Sequence, residues 1–150
     1  MNIHIIGDKE KVIFPTLGSF EITAKVDTGA DVSSIWCSYV KRFNDRLECV
    51  FFGPGNRCYT GRKVVFKKGE YKISRVHNSF GHNQRRYKVK IPVIINGRRI
   101  LASFTLADRS KKTYYVLIGK RLLAKKFLVD VTGGKLLSEQ TKQLGRAVSL

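Results

Sequence analysis

The chain of 150 residues is short of acid: 11 Asp and Glu stand against 29 Lys and Arg, a formal net charge of +18. A field of that sign raises the local concentration of acidic partners, whether nucleic acid, an anionic membrane surface or an acidic peptide. Charge alone does not choose among them. Cysteine is scarce as well. Cys37, Cys49 and Cys58 are odd in number and show no C-x-x-C spacing, which argues against a disulfide framework and for three reduced, partly buried thiols. Long apolar runs are missing: none reaches the roughly 18 residues of a membrane-spanning helix. The opening MNIHIIGDKEKV also lacks a basic stretch followed by a long apolar one, so the expectation is a cytoplasmic protein with no membrane span. There is no H-E-x-x-H, no glycine-rich Walker loop and no RNP-like motif. His4, His77 and His82 form no familiar ligand spacing with the cysteines. No metal and no cofactor is expected on this chain.

What the sequence does contain is apolar residues, 43% of the total, enough to bury one core but too short a chain for two ordinary domains. They fall in short runs rich in Val, Ile, Phe, Tyr and Thr: KVIF, SFEITAKV, RLECVFF, RKVVFKK, EYKISRV, RRYKVKIPVII, RRILASFTL, KTYYVLI and KFLVDV. Runs of this length between turn signals predict an all-β, antiparallel domain, closed or barrel-like. Asn96 and Gly97 read as a two-residue hairpin turn, and Gly133 with Gly134 as another. One short helix is predicted over 119–127, GKRLLAKKF, with Leu122, Leu123 and Phe127 on one face. Residues 138–150 read as a polar extension to a domain spanning 1–137.

The stretch KVDTGADVSSIWC, residues 25–37, sets Asp27, Thr28, Gly29, Ala30 and Asp31 directly after a strand-like run. A carboxylate at a strand end, on a turn whose glycine permits close backbone approach, can be held rigidly by backbone and hydroxyl hydrogen bonds. Three small turn-formers also make an ordinary Asx turn, so Asp-Thr-Gly alone does not separate chemistry from punctuation.

The surrounding pattern separates them. VDTGAD resembles the active-site loop of the retropepsin-like aspartic peptidases, and YVLIGKRLL resembles that family's second hallmark, an apolar run followed by Gly and a short helix. Between them, EYKISRVHNSFGHNQRRYKVKIPVII has two strand-like arms around a polar tip, the place of a flap. IGDKEKVIFPTLGSFEITAKVDTGAD, YKVKIPVIINGRR, ASFTLADRSKKTYYVLIGKRLL and FLVDV look like the bacterial and archaeal family called ATP-dependent zinc proteases, often linked with ATP-grasp glutamate ligases. The resemblance covers about residues 5–131.

It implies a retropepsin-like closed barrel with one short C-terminal helix, and an endopeptidase in which two carboxylates share a proton and activate water. With one Asp-Thr-Gly per chain, it implies a homodimer to which each copy brings Asp27. Thr28 would hydrogen-bond across the dimer and Gly29 would offer backbone near the substrate. Asp31 either pairs with Lys120 or Arg121 after Gly119, or is an exposed turn acid. Asn78, Ser79, Phe80 and Gly81 are the candidate flap tip, with a plain hairpin loop as the alternative. Asp108 and Arg109 of LADRS match a family motif and could form a buried ion pair. Trp36 is expected in the core or at the dimer contact. Any nucleotide requirement would belong to a partner such as an ATP-grasp ligase. The substrate would be a peptide or protein, with a Glu-rich chain suiting the charge.

Two other readings stay open. One is a nucleic-acid-binding β domain, from the charge and the interleaved Phe51, Phe52, Tyr59, Phe66, Tyr71, Phe80 and Tyr87. The other is a peptidase-like module that binds acidic peptides without cutting them.

Overall fold

A computed structural model describes residues 2–77 and 80–133. Asn78, Ser79 and the proposed extension 138–150 lie outside the described residues. The strands in chain order are β1 (His4–Gly7), β2 (Lys9–Ile13), β3 (Glu21–Val26), β4 (Ser33–Phe43), β5 (Arg46–Phe51) and β6 (Val64–Phe66). There follow β7 (Tyr71–His77), β8 (Asn83–Ile95), β9 (Arg98–Ala107), β10 (Val116–Ile118), the single described helix α1 (Lys120–Leu123), and β11 (Phe127–Asp130).

Pairing runs β10-β3-β2-β8-β9-β4, and β10 pairs β4 again, so these six strands close on themselves as a barrel. Closure removes the sheet edges that an open arrangement would leave unpaired. The core fills the inside: Val12, Ala24, Ile35, Val89, Val93, Ile95, Phe104, Val116 and Ile118 are almost wholly buried. The remaining strands hang from the barrel. β5 and β6 extend from β4, β7 forms a hairpin with the outer half of β8, and β1 pairs with β11 in a separate two-stranded sheet.

The sheet is not purely antiparallel, as the runs alone imply. β3–β10, β4–β9 and β1–β11 are parallel. For β3–β10 the cause is threading: β10 inserts between β3 and β4, which are joined by the Asp-Thr-Gly turn, and so runs parallel to one and antiparallel to the other. Hairpin logic cannot reveal a strand that enters from far along the chain.

Long β8 changes partners along its length, with β7 over residues 83–89 and β2 at Ile94 and Ile95. Pro92 falls between these stretches, where β9 is its strand neighbour and a missing N–H leaves no gap in a second ladder. The β8–β9 turn is of the tight hairpin kind, with Asn96 and Gly97 both at positive φ (51° and 75°).

The helix ends at Leu123 rather than Phe127. Lys125 takes positive φ, and Phe127 leaves the helix to open β11, burying its ring through strand pairing with His4 instead. Trp36 is buried in the core, its ring centre 4.7 Å from that of Tyr115.

Candidate active site

β3 ends at Val26 and delivers Asp27 to the chain reversal that follows. The Asp27 N–H donates to the Ile118 carbonyl at 2.8 Å, so the inserted β10 fixes the backbone of the acid it stands beside. Asp27 Oδ1 accepts the Gly29 N–H at 2.9 Å, and the Asp27 carbonyl accepts the Ala30 N–H at 3.3 Å. One carboxylate oxygen is thus oriented by the turn's own backbone. A Cβ on Gly29 would stand 3.2 Å from that oxygen, tight enough to disturb it. Thr28 is exposed at the turn.

The far side of the turn is locked to the segment after β10. The N–H groups of Lys120 and Arg121, which have no partner inside so short a helix, donate to the carbonyls of Ala30 (2.8 Å) and Asp31 (3.1 Å). Gly119 donates its N–H to the buried Ser33 hydroxyl at 3.0 Å. A Cβ on Gly119 would lie 2.6 Å from the Val32 carbonyl oxygen and 2.9 Å from that of Ala30, so only glycine permits this approach. Lys120 Nζ meets Asp31 Oδ1 at 3.2 Å, with both side chains more than half exposed. An exposed pair of this kind contributes little stability and serves mainly as a tether.

Above the turn stands the β7–β8 hairpin, with His77 opposite Asn83 as its last described pair. Phe80 is 84% exposed beyond it, and Gly81 has positive φ. Between hairpin and turn lies a cavity of about 410 Å³. Gly29, Ala30 and Asp31 form one wall, and Ser74, Arg75, His77 and Arg86 of the hairpin form another.

The cavity is strongly cationic: Arg75, Arg86, Lys88, Arg109 and Arg121 line it against a single lining acid, Asp31. Arg109 is half-buried, its Nε donating to the Tyr114 carbonyl at 3.0 Å. Burial first, and then the neighbouring Arg86, push its guanidinium below the ordinary value, while the Asp27 carboxylate acts the other way. Burial also lowers Arg86, whose Nε and Nη2 hold Gln84 Oε1 at 3.2 and 3.0 Å.

The ion pair that Asp108 and Arg109 could have formed is not made. Asp108 is exposed and turns to Ser110, whose hydroxyl and N–H hold its carboxyl below the usual carboxylate range. Arg109 points instead to the cavity, within electrostatic reach of Asp27. That placement comes from the loop leaving β9, and nothing in LADRS itself announces it.

The aromatics that could have stacked on bases are mostly used inside. Phe51, Phe52 and Phe66 are buried, and Tyr71 packs edge-on against Tyr87, which leaves Tyr59 and Phe80 exposed. Among the described residues no His, Cys, Asp and Glu converge as a metal-ligand cluster. The three cysteines are buried and unpaired in disulfides. Among these residues no helix is long and apolar enough to cross a membrane.

A family model described as the retropepsin-like aspartic endopeptidase RimB matches residues 5–139. The chain belongs to the RimB-like family. Longer relatives carry a different name. A "Probable alpha-L-glutamate ligase" of Shewanella pealeana is 28% identical over 93% of this chain, and one of Desulfotalea psychrophila is 30% identical over 95%. The chain spans only 31% and 32% of those proteins, so the RimB-like chain corresponds to about a third of each, and the ligase name describes the whole. A crystal structure of a protein of unknown function from Legionella pneumophila shares the fold. It has a TM-score of 0.66 at 19% identity, with 87% of this chain and 95% of that one covered.

Proposed function

We propose that the chain is one half of a homodimeric aspartic endopeptidase that cuts acidic, glutamate-rich polypeptides, with Asp27 from each copy forming the catalytic pair. The observation that carries this reading is the Asp27 turn. It is an acid at a strand end, oriented by Gly29 and tied through Ile118, Gly119 and Ser33 to the strand threaded beside it. Membership of the RimB-like family supports the chemistry.

Two carboxylates a few ångströms apart cannot both ionise, so the pair holds one proton between them and titrates as a unit. The ionised member takes a proton from water while the protonated member polarises the scissile carbonyl, and the roles exchange as the amine leaves. A chain with a single Asp-Thr-Gly needs a second copy for this. Thr28, exposed beside Asp27, would hold the two turns together across the symmetry axis. Gly29 would present backbone to the substrate. Asn78, Ser79, Phe80 and Gly81 would close over the bound chain and exclude water.

The cationic cavity supports an acidic substrate. Cations lining a walled cleft act in a reduced dielectric, where they discriminate charge more strongly than surface residues do. A glutamate ligase extends chains of that chemistry, which accords with the names of the longer relatives. In this reading any nucleotide is the ligase's, and hydrolysis by Asp27 needs no cofactor. The same cavity favours, as a second reading, a module that holds acidic peptides without cutting them.

Asp27→Asn separates the two. The variant is expected to lower cleavage of a Glu-rich peptide by about a thousandfold or more, read by mass spectrometry, while its circular dichroism and sedimentation stay those of the parent. Retained cleavage would remove Asp27 from the chemistry.

A further inference from the structure

Strand register continues the cations of the cleft along one sheet face. Lys72 of β7 sits opposite Lys88 of β8, which sits opposite Thr105 of β9; Ser74 is opposite Arg86, and Lys90 opposite Ser103. Alternation therefore puts Lys72, Arg86, Lys88 and Lys90 on one face and sends Tyr71, Tyr87 and Val89 to the other. Two lysines directly opposite each other repel. Among the described residues no carboxylate lies within ion-pair distance of Lys72, Lys88 or Lys90, the ion pairs there being Lys63–Glu48 and Lys120–Asp31.

This face is also grooved. A cavity of about 220 Å³ between α1 and β9 is lined by Lys88, Ser103, Arg121 and Lys126, and one of about 440 Å³ beyond it by Lys72, Lys88, Lys90, Leu101 and Ser103. Lys88 lines both and also the cavity beside the Asp27 turn, while Arg121 lines the first and that cavity. The three form one track leading away from the Asp27 turn. Glu70 is the one acid lining the two outer cavities, and its Oε1 accepts the Lys67 N–H at 2.8 Å.

We propose that this track is an exosite holding the part of an acidic polypeptide that runs on beyond the cleft. The inference rests on the acidic-substrate reading and adds to it a second place of contact, remote from the chemistry. A polypeptide is favoured over a nucleic acid because the rings that border the track are engaged within the fold: Phe66 is buried against Phe51, and Tyr71 packs edge-on against Tyr87. Lys88 would bridge the two regions, and Lys72 with Lys90 would engage only the longer chain.

The test is fluorescence anisotropy with the full Asp27→Asn chain and a labelled peptide, bare or extended by a glutamate run. Extension is expected to tighten binding by about tenfold, the effect of a few exposed ion pairs acting together. Lys72→Gln with Lys90→Gln should remove most of that gain. Lys11→Gln with Lys41→Gln, which line neither cleft nor track, should keep it. A gain that is absent, or that survives loss of Lys72 and Lys90, overturns the exosite. An oligonucleotide of equal charge that binds through the same lysines more tightly than the extended peptide overturns the choice of partner. Because binding is read without turnover, a failure of cleavage strikes the peptidase reading alone, and a failure of length dependence strikes the exosite alone.

Discussion

At the scale of single residues, the site depends as much on what is absent as on the acid itself. Gly119 lets the chain after β10 press against the Asp-Thr-Gly turn, and the atoms a Cβ would meet are backbone oxygens that cannot swing aside. Gly119→Ala is therefore expected to destabilise the fold by about 1–3 kcal/mol, seen as a lower urea midpoint, and to reduce activity further by shifting Asp27. Cys37 makes a different prediction. The adjoining Cys49 thiol and burial hold it well above the ordinary thiol range, so the fold favours the protonated form. That preference is fully present below the ordinary thiol value and is lost as pH rises above it. Stability should decline in alkaline solution, and a thiol reagent should label Cys37 only on unfolding. Asp27, Gly29 and the Asp31–Lys120 contact are legible in the sequence only because the two short stretches that hold them resemble the hallmarks of a known family. The Ser33–Gly119 hydrogen bond is not, since a serine eighty-six positions away carries no local sign of its partner.

At the scale of elements, the runs that alternate strongly were readable and those that break the pattern were not. Strands β2, β3 and β5 through β11 correspond to apolar runs, though β6 and β10 are shorter than the runs that contain them. β1 and β4 left weaker traces. β4 begins Ser33-Ser34, two buried serines whose hydroxyls hydrogen-bond within the barrel, so a central strand presents as polar sequence. It also carries an irregularity between Cys37 and Tyr39 that shifts its alternation. The Asn96-Gly97 turn is the clearest local signal and has both residues in left-handed backbone. Gly97→Ala should destabilise the protein by about 1 kcal/mol without altering substrate binding, measured by thermal unfolding and by peptide titration. A larger loss of binding would mean that this turn communicates with the cleft.

At the scale of the whole molecule, the insertion of β10 does two things at once: it closes the barrel and it fixes the Asp27 backbone. Fold and site are therefore not separable, which is why so short a chain can present a rigid acid. The charge has become more specific than a net value. It concentrates where the hairpin faces the turn and continues along the β7–β8–β9 face. Composition reports that sum, while register reveals its direction.

In the proposed dimer one Asp27 is not enough. This is tested most directly by mixing wild-type chain with Asp27→Asn chain at fixed total concentration, allowing subunits to exchange, and measuring the initial rate of cleavage of a Glu-rich peptide. If each active unit needs two intact Asp27 carboxyls, the rate falls as the square of the wild-type fraction. A rate that falls in simple proportion to that fraction contradicts the account, because each chain would then be carrying out the chemistry alone.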